Sequence, residues 1–319
     1  MASIVSGQRR IVTWRFTQPA YALYAIIAIE LVVSVSLAFG MGFRAQSYLA
    51  FLPQLYCVFL LASGPLARRI HYDRVAGACE TVGLLYGQGF ALVALLYPMT
   101  AIAAPFADAQ LAAADRMLAF DWPAFAASLR DNSFALQLLK VVYYSFAWQG
   151  VIILSLLFFM RAPGRAWTMI LAANVSLLLT LLIYPFAPAA GTFIHYGITP
   201  DQYPHMSAKV AWVFGPAIHA IRDEGVRMVT KNLMVPFISF PSYHAVAAFL
   251  FAWAAWPIKY LRWPAIVLNI VMAGSALIIG AHYLVDLIAG VAVALVGISM
   301  ARFILRRFVV ETQVIFEHR

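Results

Sequence analysis

The feature that most constrains this chain is its succession of long apolar runs. About eight stretches, near residues 20–42, 47–66, 81–104, 134–160, 166–189, 240–258, 263–281 and 282–304, each approach the roughly 20 apolar residues that a helix needs to cross a bilayer. Lipid offers no partner to backbone N–H and C=O groups, so such runs must satisfy them internally, as an α-helix does. Composition removes the soluble alternatives. Of 319 residues 64% are hydrophobic and 11% charged, against about 25% charged in soluble domains. The expected fold is all-α, a polytopic transmembrane bundle of about eight spans. The first run follows Arg9, Arg10 and Arg15 as a signal peptide would, but it exceeds the length of such a signal and reads as a retained helix.

A net charge of +9 would suggest nucleic acid for a soluble chain; here it orients helices instead. With the N-terminus inside, the cations near 9–15, 68–74, 161–165, 259–262 and 302–319 share one face, and the turns 161–165 and 259–262 carry no acid. The expectation is both termini cytoplasmic, the functional face outward, and a bacterial inner membrane as the setting. Cys57 and Cys79 sit in or beside apolar runs and read as buried thiols rather than a bridge.

Two outer segments exceed simple turns. Residues 105–133 repeat acidic and apolar positions at near-helical spacing, which predicts amphipathic helices lying on the membrane surface. Residues 190–239 form a longer polar excursion of the length of a lid or binding loop, with His195, His205 and His219 read as surface histidines. Inside the spans, Glu30 suits helix packing or assembly as well as catalysis, and Asn174 an interhelical hydrogen bond.

Chemistry concentrates where outer loops meet spans. Phe240-Pro241-Ser242-Tyr243-His244 opens the sixth run, and its free helix-start amides suit an anion. Ala281-His282-Tyr283-Leu284-Val285-Asp286 opens the eighth, and a spacing of four puts His282 and Asp286 on one helix face. The alternation of spans brings both histidines to the same boundary. A single boundary histidine is more often structural than functional, but two with an aspartate at one depth favour a site. A metal centre would need further ligands from the loop histidines, so neither a metal nor a cofactor is expected.

These motifs resemble the paired signatures of the type 2 phosphatidic acid phosphatase superfamily, and more narrowly its inositol phosphorylceramide synthase branch, where Phe-Pro-Ser-x-His and His-Tyr-x-x-Asp recur. Asp121-Trp122-Pro123 and the order of spans extend a weaker similarity over about residues 80–305. The resemblance implies a six-helix core over 80–305, preceded by a two-helix region over 1–79 and followed by a basic tail over 306–319. It implies His282 as the nucleophile on phosphorus, Asp286 as its orienting partner, and His244 as the acid and base. Ser242, Tyr243 and the helix amides would hold phosphate oxygens. The chain departs from the wider superfamily at Ala276, where an arginine precedes the nucleophile, and Tyr184-Pro185-Phe186-Ala187-Pro188 carries no cation. Arg222, Arg227 and Lys231 are the nearest replacements on that side.

The expected activity is thus metal-independent phosphoester chemistry on a lipid phosphate. Either water or a lipid hydroxyl, sphingolipid acceptors included, resolves a phosphohistidine. The competing class is a transporter or channel coupling ions through intramembrane His and Asp, which would place polar residues near the midplane of repeated halves. Expected partners are phospholipid substrates, a lipid alcohol acceptor and the membrane, with no nucleic acid.

Overall fold

A computed structural model describes residues 19–45, 62–206, 212–230 and 238–308. They form helices α1 (Pro19–Gly40), α2 (Asp73–Ala101), α3 (Asp108–Met117), α4 (Trp122–Arg130), α5 (Ser133–Tyr144), α6 (Phe146–Phe159), α7 (Pro163–Ile183), α8 (Phe214–Arg222), α9 (Tyr243–Ala255), α10 (Arg262–Ile279) and α11 (Leu284–Phe308). The only strand pairing among the described residues is two residues long: β1 (Arg44–Ala45) runs parallel to β2 (Met228–Val229).

Five helices are long and apolar enough to cross a membrane, six if the bent pair α5–α6 counts as one span. The sequence predicts about eight. The difference has three physical sources. Most of the run 47–66 lies outside the described residues. The run 134–160 breaks at Ser145 with a 46° bend, where the Ser145 hydroxyl bonds the Val142 carbonyl at 2.5 Å and takes a hydrogen bond from Gln149, the kind of insertion into the helix ladder that produces kinks. The run 240–258 yields only the 13 residues of α9, because Phe240, Pro241 and Ser242 are used before the helix starts.

The outer segment 105–133 does fold as two short helices. Asp121 and Asn132 cap α4 and α5, each accepting 3.0 Å from the amide three residues on, which satisfies donors the helix start leaves free. Cys79 is a free thiol, while Cys57 lies outside the described residues.

Lipid is as apolar as a leucine side chain, so close fit rather than water exclusion holds these helices together. Small residues set the crossings. A Cβ at Gly297 of α11 would overlap the Ser176 hydroxyl and lie 2.9 Å from the Ala172 carbonyl of α7. One at Gly290 would overlap the Ser242 carbonyl and approach Ala245 Cβ to 2.9 Å. Gly290 therefore lets α11 press against the first turn of α9, which positions the site. Polar side chains add hydrogen bonds: Asn174 of α7 donates 2.7 Å to Glu30 of α1, the interhelical bond expected of it. Arg68 pairs with buried Glu80 of α2.

Gly290→Ala is expected to lower stability by about 1–3 kcal/mol, the usual cost of overpacking. Gly274→Ala in α10 meets nothing within 4 Å and should gain up to about 1 kcal/mol from helix propensity. Thermal unfolding of both variants in detergent checks the contrast.

Candidate functional site

Ser242 caps α9 with extended backbone dihedrals (φ −70°, ψ 113°), its hydroxyl accepting from the Ala245 amide at 3.4 Å. Across the crossing permitted by Gly290, the Ser242 amide donates 3.0 Å to the Asp286 carbonyl. Its hydroxyl lies 3.3 Å from His282 Nε2. On the far side of the ring, His282 Nδ1 is 3.1 Å from Asp286 Oδ2. A carboxylate only accepts, so the proton sits on Nδ1, and Nε2 presents a lone pair that the Ser242 hydroxyl donates to. Asp286 Oδ2 also accepts 2.8 Å from the Ser239 hydroxyl and 2.9 Å from the Tyr283 amide. His282 is 2% exposed and Asp286 0%, so the imidazole has one tautomer and one orientation.

His244 lies in the first turn of α9, two residues after Ser242. The bend between α5 and α6 brings two rings against it: Tyr143 stacks at 4.0 Å with 17° between planes, and Phe146 lies at 5.0 Å. Gly280 completes the packing, since a Cβ there would come within 2.8 Å of His282 Cδ2 and 3.1 Å of the Tyr143 hydroxyl. Tyr143 thus abuts the 280–282 turn while stacking on His244. Ala281, in that turn, has φ 55°, a left-handed conformation that costs a non-glycine residue of order 1 kcal/mol. The Ala281 carbonyl accepts from the Thr192 amide at 3.1 Å. Two polar atoms here are buried without a partner among the described residues, Thr192 Oγ1 and Asp286 Oδ1.

Helix α3, from the segment expected to lie on the membrane surface, closes over this turn through two carboxylates. Asp108 accepts from the Ala190 amide at 2.9 Å, the Gly191 amide at 3.1 Å and the Tyr283 hydroxyl at 2.8 Å. Asp115 accepts from the Leu284 and Val285 amides, both at 2.9 Å, at the start of α11. Both are buried, at 6% and 1% exposure. Their separation of seven residues is two helical turns, a one-face signal present in the sequence. Trp122, fully buried, donates 3.0 Å to the Leu277 carbonyl and stacks on Tyr196, which gives Asp121-Trp122-Pro123 its role in holding α4 to α10.

The remaining expected residues are placed elsewhere. The Tyr243 hydroxyl donates 3.1 Å to the Ala173 carbonyl, binding α9 to α7 instead of facing a phosphate. Arg222 is taken up by Asp223 (2.7 and 2.8 Å), the Ala104 carbonyl and the Phe106 ring. Arg227 donates to the Ile221 and Val226 carbonyls and lies over Phe43. Neither guanidinium bonds His244, His282, Asp286 or Ser242; Arg222 is held by Asp223 and the Ala104 carbonyl, and Arg227 by two carbonyls of its own turn. Lys231 lies outside the described residues. His195, His205 and His219 are exposed, as expected. Among the described residues no three His, Cys, Asp or Glu converge on a point that would hold a metal ion.

Burial holds the Asp115 carboxyl above the usual aspartate range, against the pull of its two amide donors. A proton held more tightly when folded contributes stability below the unfolded value and loses it as pH rises through the folded one. Asp115→Asn should therefore flatten this part of the profile above the unfolded aspartate value of about pH 4. It should also cost about 1–3 kcal/mol, since one α11 amide then lacks an acceptor. Thermal unfolding of wild type and variant across that range measures both effects.

A family model described as the PAP2 superfamily matches residues 109–300, from α3 through most of α11. No curated protein and no solved structure matches the chain. The matched stretch covers more than half of the chain and contains Ser242, His244, His282, Asp286 and Asp115, while Asp108 falls one residue before it. On that match, the chain belongs to the PAP2 superfamily.

Proposed function

We propose that this protein is a membrane-embedded phosphoester enzyme that acts on a lipid phosphate at one membrane boundary through a phosphohistidine on His282 Nε2. One observation carries the proposal: the imidazole is fixed between Asp286 at Nδ1 and a hydroxyl at Nε2, with a second histidine one half-turn beyond that hydroxyl. Membership of a superfamily of phosphatases and phosphotransferases supports the same reaction class.

In the proposed reaction the Nε2 lone pair attacks phosphorus as the Ser242 hydroxyl turns from Nε2 to a phosphate oxygen. The bond from phosphorus to the lipid oxygen breaks, and His244 supplies the proton that the leaving alkoxide needs. Asp286 stabilises the positive charge that develops on the ring. His244, now neutral, takes a proton from water or from a lipid hydroxyl, whose oxygen attacks phosphorus and releases His282. Water gives a lipid phosphatase; a lipid hydroxyl gives a headgroup transferase like the inositol phosphorylceramide synthases that the Phe240–His244 motif resembles. The Thr192 hydroxyl and the α9 amides are the donors proposed for the phosphate oxygens, with Arg222 and Arg227 contributing only if they leave their present partners. The outward-facing orientation with both termini cytoplasmic belongs to this proposal, as does the division of the chain at residues 79 and 305.

His282→Ala is expected to abolish covalent labelling by a radiolabelled lipid phosphate and to lower turnover by at least about a thousandfold. His244→Ala should cost about a hundred- to ten-thousandfold. Asp286→Asn should cost about a thousand- to ten-thousandfold through the wrong tautomer. Full activity in the first two variants, with folding intact, ends the assignment, and turnover lost to a chelator replaces it with a metal mechanism. Mass spectrometry of products after adding ceramide or diacylglycerol separates transfer from hydrolysis.

A further inference from the structure

The end of the bundle away from His282 carries a cluster of cations and indoles that the phosphoester site does not use. Arg165 of α7 donates through Nε (3.1 Å) and Nη2 to the Trp253 carbonyl, and its guanidinium lies 4.0 Å over the Trp253 ring. Arg302 of α11 approaches the same ring at 5.5 Å. Arg262 of α10 lies 4.5 Å over Trp256 and donates 2.8 Å to its carbonyl. A cavity of about 380 Å³ beside these indoles is lined by Arg165, Phe249, Ala252, Trp253, Trp256 and Ile266.

None of the three arginines forms an ion pair with a carboxylate among the described residues. The sequence explains why. Residues 159–200 contain no Asp or Glu, and residues 240–308 contain only Asp286. Asp286 is about 24 Å from Arg302 along α11 at the helical rise per residue. Two guanidiniums therefore share one indole with only a ring face and a carbonyl to balance them, towards the ends of the spanning helices α7 and α11 where phospholipid headgroups would meet them in a bilayer. The rest of the lining is apolar, which suits a hydrocarbon chain better than a hydrated ion.

We propose that this face binds an anionic glycerophospholipid of the leaflet opposite the phosphoester site. Its phosphate rests on Arg165 and Arg302, and one acyl chain enters the cavity walled by Phe249, Trp256 and Ile266. The site stands independently of the phosphoester reading, because its recognition needs charge and a groove rather than turnover.

The test uses the full chain, reconstituted in phosphatidylcholine vesicles containing a minority of phosphatidylglycerol, re-extracted, and examined by native mass spectrometry. Phosphatidylglycerol should be retained in preference to phosphatidylcholine, and Arg302→Gln should weaken that preference about fivefold. Arg302→Lys should keep most of it, since a headgroup phosphate accepts a point charge. Arg165 also holds the Trp253 carbonyl and its loss risks misfolding, so Ile266→Trp, which fills the cavity, serves as the second variant and should reduce retention of both lipids. Equal retention of the two lipids, or unchanged preference in Arg302→Gln, overturns the proposal. Displacement of the lipid by inorganic phosphate alone overturns the acyl-chain half of it, and unchanged retention in Ile266→Trp does the same.

Discussion

The arrangement depends on one buried carboxylate oxygen. Asp286 Oδ2 accepts from the His282 imidazole, the Ser239 hydroxyl and the Tyr283 amide, so a single atom fixes the ring, the segment before α9 and the turn before α11. A carboxylate at full burial is tolerable only when such donors replace its water. The Asp286 carbonyl then receives the Ser242 amide, and Gly290 leaves the room for that approach. These contacts hold Ser242 and His282 in register, and their 3.3 Å separation sets Nε2 as the nitrogen that the proposed reaction uses.

Helix α3 serves the same turn. Asp115 occupies the two amides at the start of α11, and Asp108 occupies the Ala190 and Gly191 amides and the Tyr283 hydroxyl. Negative side chains at a helix start are favoured by its partial positive charge. By taking up the Leu284 and Val285 amides, Asp115 leaves the start of α9 rather than that of α11 for the phosphate of the proposed reaction. The left-handed Ala281 and the buried Thr192 hydroxyl lie in the strand of contacts so enclosed.

Much of this was legible in the sequence, for stated reasons. Long apolar runs permit only helices, and seven of the eight expected runs contain described helices, of which five, or six with the bent pair, are long enough to cross a membrane. Spacing of four residues is enough to pair His282 with Asp286, because the helix alone fixes that geometry. Contacts that depend on chain crossings left weaker traces. Nothing local to Tyr143 or Phe146 announces that a bend will press them on His244. Acidic and apolar positions at near-helical spacing suggested a surface helix, and nothing in that pattern shows that Asp108 and Asp115 would be buried against the turn before α11. Arg222 and Arg227 were chosen by proximity in sequence, and proximity does not reveal that Asp223 and nearby carbonyls would hold their donors.

The absence of a cation at position 276, together with those engaged arginines, has an electrostatic consequence for the proposed reaction. A phosphoryl group in transfer spreads its charge over three equatorial oxygens, which oriented donors stabilise more strongly in a low-dielectric site than in water. Neutral donors serve where water is scarce. In the proposed site Ser242, Thr192 and the α9 amides would be such donors, and His282 and Asp286 are almost wholly excluded from solvent. A site so built gains from placing the substrate's charge deep at the helix starts, whereas a cation-lined site would hold phosphate near the surface. In the proposed reaction the protonated His244 would then be the cation nearest the transferring group among the described residues, and it would leave the site neutral once it has given up its proton to the alkoxide.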